Sequence, residues 1–169
     1  MRDFGIMAKI SSTTALVPSV LDRLLDDEPD VSREAPRSRH QVLRELKMSV
    51  RRDLELLLNT RRRPVPETEN LDELDRSMIS YGIPDFTGAN MGSVMAREDF
   101  RATIQEVVRK FEPRFKTVEV TFVENADTGE RTLRFRIDAL LYADPAPEPV
   151  VFDTSLEPDT TNVEVKGIS

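Results

Sequence analysis

Cysteine is absent from the 169 residues, so no disulfide framework and no thiolate metal site can form. A reducing compartment is compatible with that absence. Histidine is nearly absent as well. His40 stands alone at the start of an arginine-rich segment, and a triad or metal centre would need convergent partners, so it is expected at the surface. No glycine-rich phosphate loop, HExxH or GxSxG occurs, which leaves no nucleotide, zinc-protease or serine-hydrolase signature. No run approaches the ~20 apolar residues that cross a bilayer. The segment Met1–Ile10 lacks the continuous apolar core of a signal peptide, and a cytoplasmic protein without direct membrane insertion is expected. Positive charge is in deficit: 24 basic against 31 acidic residues leave −7. That balance, with no aromatics interleaved among the arginines, argues against a nucleic-acid binder. Carboxylates are plentiful, so composition alone does not remove paired-carboxylate hydrolysis, which needs two carboxyls ~5–9 Å apart across a cleft.

What the chain does have is a sharp change of hydrophobic period. Phe100, Ile104, Val107, Val108 and Phe111 fall on one helical stripe. A few residues later Val118, Val120 and Phe122 alternate with Glu119 and Thr121, as a half-buried strand does. Between them lies Phe111-Glu112-Pro113-Arg114-Phe115. Pro113 lacks an N–H and pushes Glu112 out of the helical region, so Glu112 and Arg114 are expected at a rigid corner between helix and strand. There they either satisfy local backbone groups or bind something.

Around this corner the remaining elements follow in order. Residues 1–15 have no period and read as a tail. Leu16, Val20, Leu21, Leu24 and Leu25 make a short helical face, and 26–38 reads as a surface loop. Arg39–Asn59 is the longest helix expected, with Leu43, Leu46, Val50, Leu54, Leu57 and Leu58 on one stripe. Leu71–Ile79 is a further short helix with Asn70 as its N-cap, and Gly82 and Pro84 end it. Ser93 is placed to cap the helix that ends at Phe111. Leu133, Phe135, Ile137, Ala139 and Leu141 alternate as a strand, and Val150–Thr154 forms a third strand, antiparallel to its neighbour. Val163–Lys166 is either an edge strand or a tail. Helices followed by a strand meander indicate an α+β domain: several N-terminal helices packed on one face of a small, mainly antiparallel C-terminal sheet.

Cations are concentrated in two places. Arg51 and Arg52 lie on the long helix, and Arg61, Arg62 and Arg63 follow it. The triple arginine favours the negative end of the helix dipole, or the arginines form a docking patch for an acidic surface. Arg134 and Arg136 share one sheet face, either solvated or used. A small sheet also has edges that must be protected or paired with a partner strand.

Four motifs now stand in order: Ser19–Leu24, Arg51–Arg61, Tyr81-Gly82-Ile83-Pro84-Asp85 and Phe111–Phe115. The chain resembles TssE, the baseplate wedge subunit of type VI secretion systems, and the related wedge proteins of contractile phage tails, sometimes labelled lysozyme-like. The resemblance covers about residues 16–155 and leaves 1–15 and 156–169 as tails. It implies a structural, non-enzymatic wedge component without cofactor or metal, bound to the other wedge subunits (TssF, TssG, TssK) and to the sheath proteins (TssB, TssC), in a cytoplasmic baseplate docked on the inner membrane complex. It implies assembly contacts at Glu112, Pro113 and Arg114. With the arginines read above, the expected partner-binding set is Glu112, Pro113, Arg114, Arg51, Arg52, Arg61, Arg62, Arg63, Arg134 and Arg136, with no catalytic residue. The alternative is a small peptidoglycan hydrolase on the same machine.

Overall fold

Ser38 opens the first long helix. Its hydroxyl accepts from the Gln41 N–H while the Gln41 side chain accepts from the Ser38 N–H, a reciprocal capping box. Helix α1 then runs Arg39–Asn59 and buries Leu46, Val50, Leu54, Leu57 and Leu58. The computed structural model describes residues 38–63, 72–75, 77–86, 93–123, 132–143, 146–157 and 162–168, together with Leu24. The expected tail 1–15, the helical face at 16–25 apart from Leu24, and the Asn70 cap lie outside the described residues.

Helix α2 is Val94–Phe111, with Phe100, Ile104, Val107 and Val108 buried. Ser93 occupies its N-cap position but makes no side-chain cap hydrogen bond. The sheet is a four-stranded antiparallel meander in the order β1 (Phe115–Val123), β2 (Leu133–Leu141), β3 (Glu148–Glu157) and β4 (Asn162–Ile168). Both helices lie on one face of it, α1 against β4 and α2 against β1. The period-2 pattern of β2 buries Phe135, Ile137, Ala139 and Leu141 and turns Arg134 and Arg136 to the other side. Phe100 packs edge-on against Phe135 and Phe86, with centroids 5.7 and 4.8 Å apart.

The fold is α+β as expected, but among the described residues the several N-terminal helices are not found. Among the described residues only α1 and α2 are long. Between them stand one helical turn, Asp72–Asp75, and one 3-10 turn, Met78–Ser80. Ser77 is the reason the expected Leu71–Ile79 helix breaks. Its backbone is extended, its hydroxyl donates to the Leu74 carbonyl at 2.7 Å, and it accepts from the Ile79 N–H at 3.3 Å. Local side-chain bonding of this kind competes with helix propagation.

Two strand boundaries also differ from the pattern. β1 begins at Phe115 rather than Val118, because a bulge between Phe115 and Thr117 interrupts the alternation. Of the two readings open for Val163–Lys166, the structure shows strand: β4 pairs with β3 and buries Val163 and Val165. The stretch 156–169, expected as a tail, therefore holds the end of β3 and all of β4.

Candidate functional site

The corner forms where α2 stops. Glu112 takes φ −115° and ψ 79°, outside the helical region, while its N–H still donates to the Val108 carbonyl. This is the shift that the following proline imposes. Pro113 and Arg114 turn the chain, and the Phe115 N–H closes the turn on the Glu112 carbonyl at 3.2 Å. The Tyr142 N–H then ties the Arg114 carbonyl to the end of β2 at 2.9 Å.

The side chains close over this turn. Arg114 Nε donates to Glu112 Oε1 at 2.6 Å and Nη2 donates to Oε2 at 2.5 Å, a two-pronged pair. Nη2 also donates to Asp53 Oδ2 at 2.6 Å, and Nη1 donates to Ser49 Oγ at 3.0 Å. The Arg114 N–H adds a bond to Glu112 Oε1 at 3.2 Å. Ser49 and Asp53 are one turn apart on α1, so a single guanidinium joins α1 to the α2–β1 corner. The Glu112 side chain is 4% exposed and that of Arg114 is 20% exposed. Burial alone would lower the Arg114 pKa; the hydrogen bonds and charge of Glu112, then of Asp53, reverse that and raise it further above the ordinary guanidinium value.

This network forms one wall of an open depression of about 410 Å³ lined by Asp53, Leu57, Tyr81, Phe111, Pro113 and the Glu112–Arg114 pair. Tyr81 meets Phe111 edge-on at 5.2 Å. Burial, followed by repulsion from Asp53 and Glu112, raises the Tyr81 pKa above 10.0. Asp53 does supply a second carboxylate beside Glu112. Yet both reach the same guanidinium nitrogen, and both oxygens of Glu112 are held inside the chain. An acid/base pair needs one carboxyl able to pass a proton to substrate; these two act as ion-pair acceptors.

The remaining expected site residues do not converge on the corner, Arg52 excepted. Arg52 Nε lies 3.6 Å from Asp53 Oδ1. Arg51 faces β4 instead, with Nη1 3.5 Å from the Val165 carbonyl. Arg61 Nη1 donates to the Leu58 carbonyl at 3.0 Å, as in the helix-end alternative of the two readings open for it, while Arg62 and Arg63 are exposed. The strand around Arg61 is tied to the Tyr81–Pro84 segment: the Arg62 N–H donates to Ile83, and the Ile83 N–H donates to Thr60. Gly82 has φ +103° there, and a Cβ would stand 2.4 Å from the Thr60 carbonyl oxygen, so glycine is required at this crossing. Arg134 and Arg136 lie on the sheet face that no described helix covers, Arg136 paired with Asp153 at 2.8 Å.

Ser49, Asp53 and Tyr81 were missing from the sequence-derived set. The available signal was a polar pair at i and i+4 bordering the apolar stripe of α1. Ser49 is buried beside Val50 although a serine gains little from burial alone.

The sheet edges are occupied by helix side chains. On β1, Gln105 accepts from the Val120 N–H at 3.1 Å and Arg109 donates to the Val118 carbonyl at 3.0 Å. On β4, the Asn59 amide donates to the Val163 carbonyl at 2.8 Å and accepts from the Val163 N–H at 2.9 Å. These are the contacts a further strand would make.

No group of three or more histidine, cysteine or carboxylate side chains could hold a metal among the described residues. No described helix is long and apolar enough to cross a membrane. No curated protein and no solved structure matches the chain. The family model described as baseplate wedge protein gp25 matches residues 44–146, from the second turn of α1 past the corner and beyond the end of β2. That span is more than half of the chain and contains the whole guanidinium network, and the chain belongs to the gp25 family of baseplate wedge proteins, the family of the TssE-like subunits.

Proposed function

We propose that the chain is the gp25-type wedge subunit of a type VI secretion baseplate. It binds TssF, TssG and TssK, and helps the sheath proteins TssB and TssC to begin polymerising, in a cytoplasmic baseplate docked on the inner membrane complex. The family membership supports a structural wedge role; the four ordered motifs support the secretion-system branch. The observation that carries the mechanism is the Arg114 network. Its guanidinium contacts Glu112, Asp53 and Ser49 within one chain, so the motif holds α1, α2 and β1 in a fixed relation. The surfaces that meet partners, Arg51, Arg52 and Arg61–Arg63 beside α1 and Arg134 and Arg136 on the open sheet face, are then presented as one rigid unit.

The test is sheath formation in cells carrying Arg114→Lys or Glu112→Ala, with circular dichroism of the purified variants and capture of TssF and TssG. On this reading sheaths and wedge capture are lost in proportion to the loss of folded protein. Folded variants that capture the wedge subunits normally and still form no sheath would make the corner itself a sheath contact. Normal sheaths in cells deleted for the chain would overturn the baseplate reading.

A further inference from the structure

At the opposite side of α1 from the corner, a second depression of about 300 Å³ lies between the helix and the end of the β3–β4 pair. Its helix wall is Arg44, Lys47, Met48 and Arg51; its floor is Val150–Phe152 of β3, with Gly167 of β4 at the rim. The pairing of β3 with β4 ends at Val151 opposite Ile168, so Glu148–Val150 continue past it. That step opens the groove.

The lining has three properties that together describe an occupant. First, it carries three cations on one wall. Lys47 is held by Glu148 at 3.3 Å, and Arg51 makes only a long contact to the Val165 carbonyl at 3.5 Å. Arg44 is exposed and has no ion-pair partner among the described residues. Second, Met48 is 54% exposed in the middle of that wall, and methionine is the side chain that best adapts to an apolar group of irregular shape. Third, Gly167 leaves the rim without a side chain; a Cβ there would meet only Arg51 Cδ, at 3.9 Å, with no backbone strain. An exposed apolar side chain framed by cations fits an anionic partner carrying one apolar anchor.

We infer that this groove docks an acidic, extended segment of a partner protein, with carboxylates toward Arg44 and Arg51 and an apolar side chain against Met48 and the β3 floor. The spacing suits such a chain. Arg44 and Arg51 stand about 10 Å apart along α1, and their long side chains can converge on two acids about 7 Å apart, the i to i+2 distance of an extended chain. Alternate residues of an extended chain face opposite ways, so an acid–apolar–acid run turns its acids toward the arginines and its anchor down to the β3 floor beside Met48. Guanidinium forks suit carboxylates better than ammonium groups do, which makes the two arginines the specificity element. The inference does not rest on the baseplate reading, since it uses only the lining of the groove.

The experiment is fluorescence anisotropy of the full chain with a labelled peptide, Glu-Asp-Leu-Asp-Glu. Two control peptides accompany it, one with every acid replaced by its amide and one with leucine replaced by glycine. Saturable binding to the first peptide is expected, with each control weaker by about tenfold. Arg44→Glu removes charge and Gly167→Val fills the rim with a residue that suits a strand; each is expected to weaken binding by about tenfold, with an unchanged melting curve. Arg97→Glu, the same charge reversal at an exposed position of α2 outside the groove, is expected to leave binding unaltered. Absence of saturable binding, equal binding of the amide peptide, or an equal loss in Arg97→Glu would overturn the proposal.

Discussion

Arg114 and Arg136 each meet a carboxylate at hydrogen-bond distance, 2.5 Å to Glu112 and 2.8 Å to Asp153, and the two pairs do different work. Arg114 sits under a turn, with Glu112 almost sealed from water and acceptors arriving from α1 as well as from its own corner. Arg136 lies on the sheet face that no described helix covers, with 43% of its side chain exposed, and its partner is a cross-strand neighbour. Its pKa is raised by the hydrogen bond and charge of Asp153, with a smaller attraction from Asp138. A buried pair whose partner is removed leaves an uncompensated charge in a low dielectric; an exposed pair leaves a charge that water solvates. Geometry alone would rank the two pairs together, and burial separates them.

The comparison breaks most readily at the corner. Arg114→Ala is expected to cost about 3–5 kcal/mol, because Glu112 and Asp53 then face each other without the cation. Phe135→Ala provides the apolar yardstick: its ring is fully buried and truncation should cost about 3–5 kcal/mol as well. Urea unfolding of the two variants measures both. An Arg114→Ala cost below about 1 kcal/mol, the level of an exposed pair, would show that the network is solvated in practice. A double variant with Glu112→Gln should recover part of the loss, since it removes the stranded charge.

Asn59 sharpens the comparison from the other end of α1, where a neutral amide rather than a charge joins helix to sheet. Asn59→Ala leaves Val163 without partners on its outer edge, but at a rim that water reaches. The expected cost is about 1 kcal/mol. The second expectation is self-association, because an unprotected edge pairs with other strands. Sedimentation velocity measures it, and a monomeric Asn59→Ala at high concentration would show that the amide is not what protects β4.

How much of this was legible in the sequence follows the range of the interactions. The period of Phe100–Phe111, the alternation of β2 and the break enforced by Pro113 are local, and each is where the pattern puts it. The bulge at the start of β1 hid three residues of strand. β4 was ambiguous because Val163 and Val165 alone cannot say what covers them; α1 does, through contacts more than a hundred residues away in the chain, such as Asn59 to Val163. The same holds for Arg114. Its place beside Glu112 at a rigid corner spans two residues and was legible, whereas Ser49 and Asp53 reach it across more than sixty residues. The arginines show the same dependence on range: the bond of Arg61 to the Leu58 carbonyl spans three residues, whereas the pair of Arg136 with Asp153 joins two strands.

Tyr81 reports the electrostatic side of the corner. Burial first, then the negative charges of Asp53 and Glu112, hold its hydroxyl protonated above pH 10.0. The folded chain therefore keeps this proton after the unfolded chain has released it. The associated stability is full below the ordinary tyrosine value and is lost as pH rises through the folded one. Tyr81→Phe should leave stability near neutral pH almost unchanged and flatten the decline above pH 10. Chemical denaturation at several alkaline pH values measures it, and an alkaline limb with the same slope in both proteins would mean that the acids of the corner are not felt at Tyr81.

The smallest effect is expected at Arg136, and it is the most informative about function. Thr121, Arg136, Asp153 and Lys166 are successive partners across the open sheet face. Removing Arg136 there exposes no apolar surface and leaves Asp153, itself 39% exposed, to water. Arg136→Ala, Asp153→Ala and the double variant should melt within the scatter of repeat measurements, with no measurable coupling between the two sites. A clear coupling would place this pair with the corner and end the distinction drawn from burial. If the melts are unchanged, the same variants test the face as a surface. A side chain that stabilises nothing but is needed to capture the wedge subunits must act in the complex, so reduced capture by Arg136→Ala at unchanged stability assigns the open face to a partner. Undiminished capture by Arg136→Ala together with Arg134→Ala would make both residues solvent-facing charges and leave the arginines beside α1 as the cationic docking surface.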